Sequence, residues 1–157
     1  HVSGTKSRDE CMADNVIWIS KHLAQGEKLI VSAENDHVTR LNGRMGFYLT
    51  NHFKEQYVNI GYTFKSGTYA AYGDKPYYEV HEPHIGTYEY FLSQCKYKNY
   101  LLSLQDASRI ELIRMKSGFR LIGSRPQDVM QFAEMNIVDL FDLLIYMDKS
   151  VHSTEWK

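Results

Sequence analysis

Lys28-Leu-Ile-Val-Ser-Ala-Glu-Asn-Asp-His-Val38 sets a short apolar run directly against two carboxylates, an amide and an imidazole. The run over 28–33 has the length and composition of a buried strand, and in open α/β sheets ligands bind just beyond the carboxyl ends of such strands. A strand is therefore expected over 28–33, with Glu34, Asn35, Asp36 and His37 at its exit.

The flanking pattern extends this reading. Upstream, Asp9 precedes Met12, Val16, Ile19 and Leu23, which recur at helical spacing, and Gly26 follows as a stop. A helix is expected there, joined to the strand by the short connection usual in α/β units. Downstream, Asn42-Gly43 turns the chain, and Met45, Leu49 and Phe53 mark a second helix. Val58, Ile60, Tyr62 and Phe64 alternate with Asn59, Gly61 and Thr63, the period of a half-buried strand. Extended segments at 68–72 and 77–81, separated by Gly73-Asp-Lys-Pro76, form a small antiparallel excursion.

Beyond it, Tyr88, Phe91, Leu92 and Cys95 restore the helical period behind a Thr87 cap. A strand at 100–104, a helix from Asp106 to Met115 and a strand at 119–122 follow, then a short helix beginning at Pro126 and a last strand at 143–147. This alternation predicts an α/β fold, with a largely parallel sheet flanked by helices and an antiparallel excursion around residues 58–81.

The 157 residues, 43% of them hydrophobic, suffice for one core, so a single domain over 1–157 is expected. Lys and Arg number 18 against 19 acidic residues, a net charge of −1, which lacks the basic footprint of a nucleic-acid binder. No apolar stretch reaches the roughly 20 residues that span a bilayer, and no signal-peptide pattern opens the chain. A soluble protein is expected, with the cytoplasm favoured. The first residue is His1 and not Met, which points to a processed product or a fragment. Cys11 and Cys95, far apart and each in a helical pattern, are expected as two buried thiols, not as a disulfide or metal site.

His37 follows Glu34 by three residues, so a carboxylate stands ready to orient an imidazole acting as general acid or base. Loop capping by the same polar residues is the competing reading. In Glu79-Val-His-Glu-Pro-His84, Pro83 keeps a helix from presenting both histidines on one face, and the order differs from the H-E-x-x-H of zinc hydrolases. No metal is expected there, while His81 and Glu82 stay as candidate cleft-lining groups. Gly4-Thr-Lys-Ser7 lacks the strand and upstream glycine of a phosphate loop. The 12 tyrosines either stack on hydroxyl-rich ligands or build sheet. No G-x-S-x-G elbow surrounds a serine, which leaves activated water as the better nucleophile. Arg8 is a candidate for binding an anionic or polar group, with a surface salt bridge as the competing reading.

The order of these elements resembles the C-terminal part of the erythromycin esterase family. Arg8-Asp-Glu-Cys-Met-Ala-Asp-Asn15 is similar to its Arg-Asp-x-x-Met-Ala-x-Asn helix, and Glu34-Asn-Asp-His-Val38 to its His-Asn-x-His-Val motif. Arg44-Met-Gly46, Tyr57-Val-Asn-Ile-Gly-Tyr-Thr-Phe-Lys-Ser-Gly67 and Phe141-Asp-Leu-Leu-Ile-Tyr-Met-Asp148 carry the likeness over nearly the whole chain. The resemblance implies a hydrolase without metal or cofactor that acts on a small-molecule ester through histidine-activated water, with His37 and Glu34 at catalytic-motif positions. It also implies a partner, the N-terminal half of the same polypeptide, because the family's Gly-Glu-x-x-His-like motif has no counterpart here. Glu34 stands where the motif has its first histidine, and a carboxylate offers no cationic donor near neutral pH. That substitution motivates an alternative, a non-catalytic ligand- or carbohydrate-binding module on the same fold.

Overall fold

Ser7 opens the first helix. Its Oγ accepts the Glu10 N–H at 3.1 Å, and α1 (Arg8–His22) carries Asp9 and Glu10 in its first turn and Lys21 and His22 in its last, as the helix dipole favours. With Ser7 capping, Asp9 turns inward and is buried one turn before the buried Ala13. The computed structural model describes residues 5–123, 126 and 131–154, and its contacts divide the chain into two units, His1–Asn59 and Ile60–Lys157.

In the first unit, α1 and the single-turn α2 (Asn35–Val38) both pack on α3 (Met45–Phe53), around Ala13, Val38, Met45 and Leu49. Gly46 makes this packing possible. A Cβ at that position would stand 2.1 Å from the Val38 carbonyl oxygen and 2.4 Å from that of Thr39.

The strand expected over 28–33 does not form, and Leu29, Ile30 and Val31 are exposed, Ile30 at 93%. A strand exists only through hydrogen bonds to a neighbour. The first unit has no strand among its described residues to supply them.

The second unit is built on a four-stranded sheet in the order β2–β1–β6–β3. Its strands are β1 (Ile60–Tyr69), β2 (Tyr78–Glu79), β3 (Asn99–Ser103) and β6 (Leu143–Ser150). The parallel β1–β6 pairing is the longest, running from Ile60 opposite Leu143 to Gly67 opposite Ser150. The β1–β2 pairing is the expected antiparallel excursion, and β3 also runs antiparallel to β6. The α/β class is therefore observed as a mixed sheet with helices, and antiparallel pairing reaches beyond residues 58–81. Strand direction depends on the distant partner, which a strand's own sequence does not encode.

β4 (Ser117–Arg120) and β5 (Phe132–Met135) make a separate two-stranded sheet. Neither β5 nor α7 (Ile137–Leu140) was legible as an apolar repeat. α4 (Tyr88–Leu92) is capped by Thr87 as expected but ends before Cys95. The helix expected from Asp106 to Met115 is instead two single turns, α5 (Leu104–Ala107) capped by Ser103 and α6 (Glu111–Arg114). The helix expected from Pro126 lies mostly outside the described residues. Both thiols are free and exposed, which corrects the expectation of buried cysteines: Cys95 lies past the end of α4, and Cys11 faces away from the Asp9–Ala13 side of α1.

Candidate active site

The site residues of the first unit converge on α2. At its start the Glu34 carbonyl accepts the His37 N–H at 3.0 Å and the Val38 N–H at 3.3 Å. At its end the Val38 carbonyl accepts the Tyr57 hydroxyl at 3.2 Å and the Asn59 Nδ2 at 2.9 Å, while Thr39 Oγ1 donates to Asp36 O at 3.0 Å. The backbone of His37 is thus held from both sides. Its Nδ1 lies 2.9 Å from Asp9 Oδ2, and the same oxygen accepts the N–H of Met45, the first residue of α3, at 2.8 Å. The side chains of His37 and Asp9 are only 15% and 8% exposed.

Burial by itself pushes the Asp9 carboxyl up, but the hydrogen bonds from His37 and the Met45 N–H, with the positive charges of His37 and Arg44, outweigh it and hold the group below the ordinary carboxylate value. Asp9 is therefore an ionised acceptor near neutral pH, and Nδ1 of His37 is the donor. That fixes the ring's chemistry. In the neutral imidazole the lone pair then belongs to Nε2, which makes no hydrogen bond among the described residues, and a proton taken there gives an imidazolium facing the Asp9 charge. Beside the pair, Arg44 Nη2 holds Asp36 Oδ2 at 2.9 Å.

The residues singled out by sequence fare unequally. His37 is in place. Glu34 is exposed, and its side chain makes no capping bond, so the carboxylate that orients His37 is Asp9, 28 residues upstream. Arg8 is exposed in the first turn of α1.

His81 and Glu82 belong to the second unit and are exposed there. What engages His81 is its backbone: its N–H donates to Gln131 Oε1 at 2.7 Å, and its carbonyl accepts Arg120 Nη2 at 2.9 Å. The buried Arg120 also bonds the Phe64 and Lys65 carbonyls and lies 4.6 Å from the Phe132 ring centre. His84 donates Nδ1–H to the Ile85 carbonyl. Asp9 is the residue that sequence reasoning missed. An available signal was its position four residues before Ala13, on the buried face of the helix.

An imidazole fixed by a buried carboxylate, with its other ring nitrogen unbonded, is arranged for proton transfer. The sequence pattern of the family described as erythromycin esterase matches residues 1–150, and the chain belongs to that family. The fold is shared with a protein from Bacillus cereus at 22% identity and a TM-score of 0.80, over 91% of this chain and 38% of that one. A succinoglycan biosynthesis protein matches at 22% identity and a TM-score of 0.78, over 93% of this chain and 38% of its own length. The erythromycin esterase EreC, as a histidine-to-asparagine mutant in its open conformation, matches at 16% identity and a TM-score of 0.64, over 92% of this chain and 37% of that one. The chain thus spans less than two fifths of the length of each structure. No curated protein matches the sequence. Among the described residues no helix is long and apolar enough to cross a membrane.

Proposed function

We propose that this chain is the C-terminal part of an erythromycin-esterase-like hydrolase and contributes His37 to the water-mediated hydrolysis of a small-molecule ester. The observation that carries this reading is the 2.9 Å contact between His37 Nδ1 and Asp9 Oδ2, tied down by the Met45 N–H. Nε2 of His37 takes a proton from water as the water oxygen adds to the ester carbonyl, then returns it to the departing alkoxide, giving an acid and an alcohol. Asp9 positions the ring and offsets the imidazolium charge. Exposed Glu34 accepts hydrogen bonds from substrate or water, and Arg8 binds a polar group. The N-terminal half of the same polypeptide completes the site, a reading supported by the 37–38% coverage of the matched structures.

Ester turnover by the full-length polypeptide tests this, with His37→Ala as the control. A general base contributes about 100- to 10,000-fold, so a kcat loss of that order is expected. Unchanged turnover removes His37 from the mechanism.

A ligand-binding module without turnover is the second reading. It is favoured by Glu34 in the place of the motif's first histidine and by an open groove in the second unit lined by Lys75, Tyr77, Glu79, His81 and Gln131. Tyr77 stacks there on His152 with ring centres 4.5 Å apart. The similarity to a succinoglycan biosynthesis protein makes a saccharide the first ligand class to try. Saturable glycan binding without turnover on any ester selects this reading, and turnover rejects it.

A further inference from the structure

In Tyr57-Val-Asn59 the apolar residue faces out and the amide faces in: Val58 is 59% exposed and Asn59 3%. Burying an amide is unfavourable unless its groups find partners, so an inward Asn beside an outward Val calls for a reason. Its Nδ2 donates to the Val38 carbonyl at 2.9 Å, and the half-buried Tyr57 donates its hydroxyl to the same oxygen at 3.2 Å. A carbonyl oxygen has two lone pairs, one for each donor. At the other edge of that peptide, the Thr39 N–H donates to the Asn35 carbonyl at 3.1 Å. The planar Val38–Thr39 peptide, one residue beyond His37, is thus held by both its oxygen and its nitrogen.

α2 needs such an anchor. A single helical turn has no stability of its own, and Glu34 at its start makes no side-chain cap. The seat comes from α3, whose first residue, Met45, fixes Asp9 Oδ2 through its N–H. Its second, Gly46, lacks the Cβ that would stand 2.1 Å from the Val38 oxygen. The carboxylate and the backbone of the imidazole are therefore set against the same two residues. We propose that Asn59, assisted by Tyr57, is a positioning residue for His37: by fixing the Val38 carbonyl it holds α2 in the setting that keeps Nδ1 on Asp9 and leaves Nε2 for proton transfer. This rests on the reading of His37 as the proton-transfer group.

Proton NMR of the 157-residue chain tests the proposal through the Nδ1–H of His37, which on a buried carboxylate gives a slowly exchanging resonance, assigned by its loss in His37→Ala. Opening of the His37–Asp9 bond sets the exchange rate. Asn59→Ala is expected to speed exchange by about tenfold, the worth of one hydrogen bond, and Tyr57→Phe, which keeps the ring, by about fivefold. Should Asn59→Ala fail to fold, Tyr57→Phe decides alone. Tyr100→Phe removes a comparable bond in the second unit, to the Leu92 carbonyl at 2.9 Å, and leaves the His37 resonance in place. Equal acceleration in Tyr100→Phe overturns the proposal, as does the lack of a protected resonance in the unsubstituted chain. A lower thermal midpoint in the Asn59 and Tyr57 variants with exchange unchanged also overturns it, leaving Asn59 a structural role. In the full-length polypeptide the same two variants are expected to lower kcat by about 10- to 100-fold at unchanged KM, the loss that a misplaced catalytic group brings. Faster exchange with kcat unchanged overturns the positioning role. Faster exchange in the variants, with no ester turnover by the unsubstituted protein, keeps the clamp and rejects the hydrolase, whereas turnover with exchange and kcat unchanged in the variants does the reverse.

Discussion

Replacing Asp9 with alanine removes an acceptor that two donors share. His37 Nδ1 and the Met45 N–H both point at Oδ2, from 2.9 and 2.8 Å, and the enclosing side chains leave little room for water to substitute. A buried donor without an acceptor costs about 1–3 kcal/mol, and a hydrogen bond to a charged group contributes about 1.5–3 kcal/mol. Asp9→Ala is therefore expected to destabilise the first unit by about 2–4 kcal/mol. A double-mutant cycle with His37→Ala isolates the pair. The Met45 N–H loses its acceptor in Asp9→Ala whether or not His37 is present, so its share cancels, and the coupling reports the His37–Asp9 bond at about 1.5 kcal/mol or more. Urea unfolding near pH 7, followed by circular dichroism and by tryptophan fluorescence to which Trp18 of α1 contributes, gives the four free energies. A coupling below about 0.3 kcal/mol, the scatter of independent sites, refutes the dyad and with it the assignment of Nδ1 as donor.

Gly46→Ala is expected to destabilise by about 1–3 kcal/mol, because the new methyl meets the backbone oxygens of Val38 and Thr39 at 2.1 and 2.4 Å. Helix propensity alone predicts a gain of about 1 kcal/mol, so the sign of the change in the urea midpoint decides. Glu89 is 0% exposed, and burial pushes its carboxyl above the ordinary 4.5 despite hydrogen bonds from Thr63 and the Arg120 N–H. Since the folded-state value is raised, its contribution is complete below the unfolded value and is lost as pH rises toward the folded one. Glu89→Gln should therefore flatten the fall of stability as pH rises above 4.5, measured by urea midpoints at successive pH values, and an unchanged slope rejects the assignment. Cys11 and Cys95 are both free and exposed, so a thiol reagent should modify both in the native protein at the rate of an open thiol, and one protected cysteine contradicts their placement.

Local pattern made much of this fold readable. The helical spacing of Met12, Val16 and Ile19 located α1, Met45 and Leu49 located α3, the alternation through Tyr62 located β1, and the apolar run at 143–147 located β6. Short elements were harder. α5 and α6 are single turns whose residues fit one continuous helical repeat, so the break between them at 108–110 was not visible, and β5 is too short to display a period. Cys11 and Cys95 show a further limit: membership of a helical pattern does not say which side faces the core.

The opening stretch divides along the same line. By itself the sequence determined that an apolar run ends in an imidazole at position 37, since order along the chain and residue chemistry are local properties. Tertiary structure alone decided what that imidazole meets: a carboxylate 28 residues away, buried by the inward turn of α1 and held by the N-terminus of α3, while nearby Glu34 points outward. It also decided that 28–33 forms no strand within its unit. Side-chain periodicity is written into each segment, whereas a strand, a hydrogen-bond partner and a shifted carboxyl group each require atoms that only folding brings near.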